Sequence, residues 1–299
     1  MKHNKKTNEF ILEKKDIKEI LPARNPYTHK YHYGVVVVIG GNNPYSGAAC
    51  LCSNAACRMG AGLVHLITTT SKHISLYPEV IVRTIPTNNG TIDPVCDVLF
   101  RTDISTIDAV IIGPGLVISN NFVKNTVERV LRKSDNIYVV IDAGGLVDFS
   151  VSDKLNHNVI LTPHTAEIMK LHGNSRLLKL KDTEALIDTA KDTAIKMNCN
   201  VLLKGPTTII TDGNVTYYNN YGNAGMATAG TGDVLAGMIG ANLAKQRRGV
   251  IKTDFLRTAA LTSLIHSLAG DYYVKHNDME TLIASEITNN ISNVIKLYK

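Results

Sequence analysis

The sequence predicts an α/β fold, a three-layer α/β/α arrangement around a mainly parallel central sheet. Three observations carry this. Val35-Val36-Val37-Val38-Ile39 is a continuous β-branched run, apolar on both faces, as a central strand of a covered parallel sheet must be. Strand, loop and helix then alternate at βαβ spacing. Glycines and polar residues fall just after the strands, at the carboxyl edge where open parallel sheets bind ligands.

The elements follow in order. Residues 1 to about 30 are polar, with Ile11, Leu12, Ile17, Ile20 and Leu21 able to dock a short helix before Pro22 and Pro26 break the pattern. After the first strand and the Gly40–Gly47 loop, Ala48 to Met59 reads as an alanine-rich helix ended by Gly60, and Leu63 to Thr68 as a strand. Further strands are expected at Val80 to Ile85, at Ala109 to Ile112 before Gly113-Pro114-Gly115, and at Tyr138 to Ile141 before Asp142. Two more are expected at Val159 to Leu161 before Thr162-Pro163-His164 and at Val201 to Leu203 before Lys204-Gly205-Pro206. Asn120 to Lys133 and Lys181 to Met197 read as helices. Thr207 to Thr211 and Val215 to Tyr218 flank Asp212-Gly213, a hairpin signal. Helices at Val234 to Gln246, Thr253 to Lys275 and Thr281 to Tyr298 complete the chain. Gly237 and Gly240, poor helix formers, are expected to admit another backbone closely.

At 299 residues and 44% apolar content the chain can bury a sizeable core, and we assign residues 1–299 to a single domain with 1–20 as a peripheral arm. The net charge of +6 comes partly from that arm, through Lys2, Lys5, Lys6, Lys14, Lys15 and Lys18, read as a solvated charge run. No basic block interleaved with aromatics points to nucleic acid, and no apolar run reaches membrane-spanning length. Cys50, Cys52, Cys57, Cys96 and Cys199 lack zinc-type spacing. No apolar signal segment opens the chain, so a reducing cytoplasm is the expected compartment.

The most informative stretch is Asn223-Ala224-Gly225-Met226-Ala227-Thr228-Ala229-Gly230-Thr231-Gly232-Asp233. Its glycines free the chain before a helix whose unpaired amides and positive dipole end can hold an anion. Asp233 sits at that point, either capping the helix or taking a proton from a hydroxyl while the amides hold a phosphate. The strand ends Gly40-Gly41, Gly113-Pro114-Gly115, Asp142, His164, Lys204 and Asp233 should gather on one rim. His164 and Glu167 form either a helix-start turn or a ligand contact, and a metal would need more ligands than this pair offers. Lys204, ending a buried strand, is favoured as phosphate-facing over a snorkelling surface lysine. Asp142 is a turn residue or a water-mediated magnesium contact. His266, on an apolar helix, reads as a satisfied core residue. Neither a Walker A nor a complete G-x-G-x-x-G pattern occurs.

Taken in order, several motifs resemble those of one family. They are Gly40-Gly41-Asn42, Ser46-Gly47-Ala48-Ala49, Arg58-Met59-Gly60-Ala61-Gly62-Leu63-Val64, Gly113-Pro114-Gly115-Leu116, Asp142-Ala143 and Leu161-Thr162-Pro163-His164 with Glu167. Lys204-Gly205-Pro206-Thr207-Thr208, the glycine-rich stretch itself, His266 and Ala269-Gly270-Asp271 follow. From about residue 20 to 275 the chain resembles the ADP/ATP-dependent NAD(P)H-hydrate dehydratases, a branch of the ribokinase-like fold. It departs from the family pattern at Val117, Ala229 and Ser267, where glycine is usual, and at Tyr31-His32-Tyr33-Gly34.

The resemblance implies a repair lyase that dehydrates the S form of NADH or NADPH hydrate, with Mg2+ and with ADP or ATP as co-substrate. It places Lys204, Gly205, Pro206, Thr207, Thr208, Gly230, Thr231 and Gly232 along the nucleotide. Ala48, Gly115, His164 and Asp233 lie along the hydrate, with Asp233 as catalytic base and no residue assigned to a metal. It implies a homo-oligomer, a tetramer by likeness, without the preceding epimerase domain that many bacterial relatives carry. A ribokinase-like kinase for a small alcohol is the alternative enzyme, and a nucleotide sensor without turnover the alternative of another class.

Overall fold

The structure is a computed structural model and describes residues 2–4, 8–71, 75–85, 106–117, 121–134, 136–173 and 182–299. Cys96 and the expected helix starts at Asn120 and Lys181 lie outside these residues. Among the described residues, eleven strands form one sheet. They are β1 (Lys2–Asn4), β2 (Glu9–Ile11), β3 (Val35–Ile39), β4 (Leu63–Thr68), β5 (Ile81–Thr84), β6 (Ala109–Ile112), β7 (Tyr138–Ile141), β8 (Val159–Leu161), β9 (Asn200–Leu203), β10 (Thr208–Thr211) and β11 (Thr216–Asn219).

Their order is β1-β2-β11-β10-β9-β8-β7-β6-β3-β4-β5. The run from β9 to β5 is parallel throughout, and β10 is antiparallel to both its neighbours. From β3 the chain moves to β4 and β5 on one side; from β6 it moves to β7, β8 and β9 on the other. The order therefore reverses between β3 and β6, and a crevice opens at their carboxyl ends.

β3 shows why the sheet needs two covers. Val36 and Val38 point into one apolar core and Val37 and Ile39 into the other, the period-two alternation of a strand buried on both faces. The first core is closed by the helices Ser46–Arg58, Thr231–Arg247, Phe255–His276 and Ala284–Tyr298. The second is closed by Phe122–Lys133, Thr165–Leu171 and Thr183–Met197. None of the helices among the described residues is long and apolar enough to cross a membrane.

Three expectations need adjustment. The helix expected from Val234 starts at Thr231, with Gly230 as its N-cap at φ 92°, so Thr231, Gly232 and Asp233 form its first turn. The hairpin turn is longer than two residues because the Asp212 carboxylate accepts from both Asn214 N and Val215 N, which delays β11 to Thr216. The segment after residue 8 is tied into the fold: β2 pairs in parallel with β11, and Leu12, Ile17 and Ile20 are buried around a 3-10 turn at Lys14–Ile20. Lys14, Lys15 and Lys18 are exposed, as a solvated charge run requires.

The two helix glycines differ. A Cβ at Gly237 would stand 2.1 Å from the Cys52 carbonyl oxygen, so this glycine does let the backbone of the Ser46–Arg58 helix approach. A Cβ at Gly240 would instead meet the Ile111 side chain, 2.5 Å from Cδ1. Gly237→Ala should therefore lower stability by roughly 1–3 kcal/mol through overpacking, despite alanine's better helix propensity. Urea denaturation checks this, and a Gly237→Ala protein more stable than the parent would contradict the close-approach reading.

Candidate active site

The crevice between β3 and β6 is built from backbone. Gly41 N donates to Pro114 O at 2.9 Å and Asn42 N to Gly115 O at 2.8 Å, so the two strand-end loops are joined. A Cβ at Gly40 would lie 2.3 Å from Pro114 O. A Cβ at Gly115 would lie 2.2 Å from Tyr45 O and 3.2 Å from the Ala48 methyl. Ala48 and Gly115, far apart in sequence, thus share one wall.

Next along the rim, Asp142 ends β7 and is buried to 1% exposure. Its Oδ1 accepts from Thr162 Oγ1 at 2.7 Å, just after β8, and from Lys204 Nζ at 2.8 Å, just after β9. Lys204 Nζ is also 3.9 Å from Glu167 Oε2. Burial works against the Lys204 ammonium, but Asp142 and Glu167 outweigh it and hold its pKa above the usual lysine value. Lys204 therefore does not snorkel to the surface. Asp142 is neither a free turn residue nor an open carboxylate, but this lysine's partner.

His164 has the geometry of a helix start. It is the N-cap of Thr165–Leu171: its Nδ1 accepts from Ala166 N at 3.1 Å and Glu167 N at 3.2 Å, and Glu167 Oε2 accepts from His164 N at 2.8 Å. Nε2 remains on the exposed side, 3.5 Å from Glu167 Oε1. The cap leaves that nitrogen on the rim, so the two sequence readings of His164 are compatible.

The glycine-rich turn stands over Lys204. A Cβ at Gly232 would be 3.1 Å from Lys204 Nζ. Val234 N donates to Gly230 O, so the amides of Thr231, Gly232 and Asp233 precede the helix's first internal bond. Thr231 Oγ1 fastens the turn by donating to Met226 O and Thr228 O, each at 3.1 Å. Asp271 accepts from Gly222 N at 3.1 Å and Asn223 Nδ2 at 3.0 Å, anchoring the stretch's other end.

Asp233 is the third helical residue, not the cap. Burial, the first cause, and the negative charges of Asp142 and Glu167 outweigh the opposing pull of Lys204 and push its carboxyl up to about 7. A carboxylate this basic can exchange a proton near neutrality. Gly205 and Pro206 are exposed on the same rim, and Thr207 Oγ1 reaches Asn220 Oδ1 at 2.8 Å.

The sequence reading weighs Asp142 as a turn residue or a magnesium contact, Glu167 as a helix-start partner of His164, and His266 as core; the structure gathers all three around Asp233 and its turn. Asp142 and Lys204 end β7 and β9, and the strand order that makes them neighbours carries no local signal. His266 is buried, as a core residue should be, but its Nε2 lies 3.0 Å from Thr231 O. Burial above all takes its pKa down to about 4, so the ring is neutral and Nε2–H donates to that carbonyl. Among the described residues, no group of three or more His, Cys, Asp or Glu side chains is arranged to hold a metal.

A family model described as NAD(P)H-hydrate dehydratase matches residues 36–293. The chain is 32% identical over 298 residues to the ADP-dependent (S)-NAD(P)H-hydrate dehydratase of Nitrosopumilus maritimus, covering 94% of each protein. Among solved structures it is similar to a ribokinase-like superfamily protein of Enterococcus faecalis V583, with a TM-score of 0.81 and 27% identity over 100% of this chain and 99% of that one. It is similar as well to the ADP/ATP-dependent NAD(P)H-hydrate dehydratase of Bacillus subtilis co-crystallized with ATP and Mg2+, with a TM-score of 0.80 and 25% identity over 97% and 99%. The glycine-rich turn, the strand-end loops and the Thr162-Pro163-His164 corner all lie within the matched span, on a ribokinase-like fold: the chain belongs to the NAD(P)H-hydrate dehydratase family.

Proposed function

We propose that this chain restores NADH or NADPH from the S form of its hydrate, spending ADP or ATP, with Asp233 as the base. One observation carries the assignment: a carboxylate with a pKa near neutrality stands in the first turn of a helix whose leading amides are free to hold a phosphate. Asp233 takes the proton of the ring hydroxyl. The freed oxygen attacks the terminal phosphorus, and the bond to the bridging oxygen breaks, so the nucleotide leaves one phosphate shorter. The phosphate ester then departs with the carbon–oxygen electron pair, a proton leaves the neighbouring ring carbon, and the double bond re-forms. Phosphoryl transfer asks the protein mainly for positioning and charge stabilisation. The amides of Thr231 and Gly232, with Lys204 beneath them, supply both.

In this reading Lys204 to Thr208 and Gly230 to Gly232 line the nucleotide. Ala48, Gly115 and the outward Nε2 of His164 line the hydrate. Magnesium fits as an ion held mainly by phosphate oxygens and water, since Asp142 is bound to Lys204 and Thr162 and the remaining carboxylates are few. When bound it would neutralise phosphate charge.

Asp233→Asn should cut NADH recovery from the hydrate by on the order of 10²–10⁴-fold with nucleotide affinity near normal. In the parent, log kcat/KM should rise with pH and level off above about 7 as Asp233 ionises. The sign for stability is opposite. A carboxyl raised in the folded state favours folding fully below its unfolded pKa, and that support is lost as pH rises through about 7. Asp233→Asn should therefore melt at or above the parent temperature at pH 8. An Asn variant that restores NADH at the parent rate, followed by reduced-nicotinamide absorbance, rules out the base. Recovery of NADH also separates this reaction from a kinase, which would instead consume nucleotide with a simple alcohol.

Lys204→Ala should weaken nucleotide binding by about tenfold or more, as loss of a charged hydrogen bond does, and hydrate binding less. Because it leaves Asp142 unpaired, the Lys204→Ala/Asp142→Asn pair is measured beside it. Parent-like nucleotide affinity by calorimetry in both variants rejects the assignment.

The chain is also proposed to self-associate, as a tetramer, on the family likeness. A monomer in sedimentation at micromolar concentration would count against this.

A further inference from the structure

The second feature of note lies at the other end of the sheet. A cleft of about 230 Å³ opens beside Tyr33, which precedes β3, whereas the candidate active site follows β3. Its floor is Lys245, in the last turn of the Thr231–Arg247 helix and 9% exposed. From Asp233 to Lys245 the helix runs about 18 Å, so the two places are separate.

Four basic residues line this cleft: Lys245, Arg24, Arg58 and Lys299. Among the described residues no Asp or Glu lines it, and none of the four basic residues is in a salt bridge. Lys245 Nζ donates to Met59 O at 2.8 Å, which uses one of its three protons. Arg24 donates to Gly60 O at 3.1 Å and lies 4.0 Å over the Tyr33 ring. Arg58 donates to Tyr77 OH, with Glu79 a nearby opposite charge.

Part of this arrangement serves the helices, because Lys245 and Arg24 satisfy carbonyls at the end of Ser46–Arg58. Burial and then the charge of Arg24 push Lys245 down to about 7, a cost that a second cation adds and an anion between them would remove. The lining also has apolar side chains, at Leu21, Val250 and Ile295. The volume is just below the ~300–1,000 Å³ typical of drug-sized pockets.

We propose that this cleft binds a small phosphate-bearing molecule, its anionic head between Lys245, Arg24 and Arg58 and any apolar body along Leu21 and Ile295. The chemistry is shared by inorganic phosphate and by an organic monophosphate. Calorimetry on the full chain with inorganic phosphate and with phenyl phosphate tells them apart: tighter phenyl phosphate means that the walls are used, and equal affinity means that the ion alone is the ligand. Lys245→Met and Arg24→Gln should each weaken the probe by about tenfold or more, as loss of a charged hydrogen bond does. Lys204→Ala should retain this binding. Lys245 also holds Met59 O, so Arg24→Gln, with its melting temperature checked against the parent, is the variant that decides if Lys245→Met does not fold. No binding of either probe at millimolar concentration, or parent-like affinity in folded Arg24→Gln, overturns the proposal. Loss of all binding in Lys204→Ala would place the anion in the active site and overturn it too.

Discussion

The contact on which the candidate site depends is the buried pair between Lys204 and Asp142. A single oxygen, Asp142 Oδ1, takes bonds from Thr162 and Lys204, so the carboxyl ends of β7, β8 and β9 are tied at one point. Such a pair is weak evidence for stability, because desolvation offsets much of its attraction and a well-packed apolar substitute often serves as well. What it fixes is where charge stands. Lys204 is held directly below Gly232, facing the amides of the helix start. Asp142, Glu167 and Asp233 share this one ammonium. With Asp142 taking it most closely, Lys204 offsets only part of what burial first, and then the charge of Asp142, does to raise the Asp233 carboxyl.

The turn above that pair is held from outside rather than by its own sequence. Its glycines allow the path but do not choose it. Thr231 Oγ1, His266 Nε2 and the Asp271 carboxylate choose it, through bonds to Met226 and Thr228, to Thr231 O, and to Gly222 and Asn223. His266 and Asp271 both belong to the Phe255–His276 helix, which packs against Thr231–Arg247. The second helix is thus a template for the first turn of its neighbour. A neutral histidine suits the role, because a charged one would add a cation next to Lys204 in a buried setting.

Much of this was legible in the sequence, and the reason differs by element. The Val35–Ile39, Ala109–Ile112, Tyr138–Ile141 and Val159–Leu161 strands end where expected, because apolar runs meet glycine, aspartate or Thr-Pro there, and Leu63–Thr68 ends where its apolar residues give way to Thr69-Thr70-Ser71. The gathering of Gly40, Gly113, Asp142, His164 and Lys204 followed from strand ends alone. Other features had no local signal. Thr231-Gly232-Asp233 looks like loop until one sees that Gly230 caps the helix. β2 has three residues, too few for a pattern, and gains its place only by pairing with β11. Gly240 resembles Gly237 in sequence but faces the Ile111 side chain rather than a backbone. Arg58 and Lys245 line one cleft because the ends of their helices come together, where Lys245 Nζ reaches Met59 O.

That last coincidence follows from how a helix is polarised. The Thr231–Arg247 helix places its free amides, and the positive end of its dipole, at the rim where phosphate charge would arrive. Its other end carries the negative partial charge of the dipole, and so does the end of Ser46–Arg58 beside it. Basic residues are favoured there, and Lys245, Arg24 and Arg248 are found there, with Arg248 turned instead to the buried Asp108 of the chain before β6. Arg248 has its carboxylate; Lys245 has a carbonyl and Arg24 a carbonyl and the Tyr33 ring, partners without a full charge. The fold's own polarity therefore explains why cations collect at this edge. It does not explain why Lys245 and Arg24 crowd one partly apolar cleft with no Asp or Glu among its described lining, and that excess of positive side-chain charge is what an anion would answer.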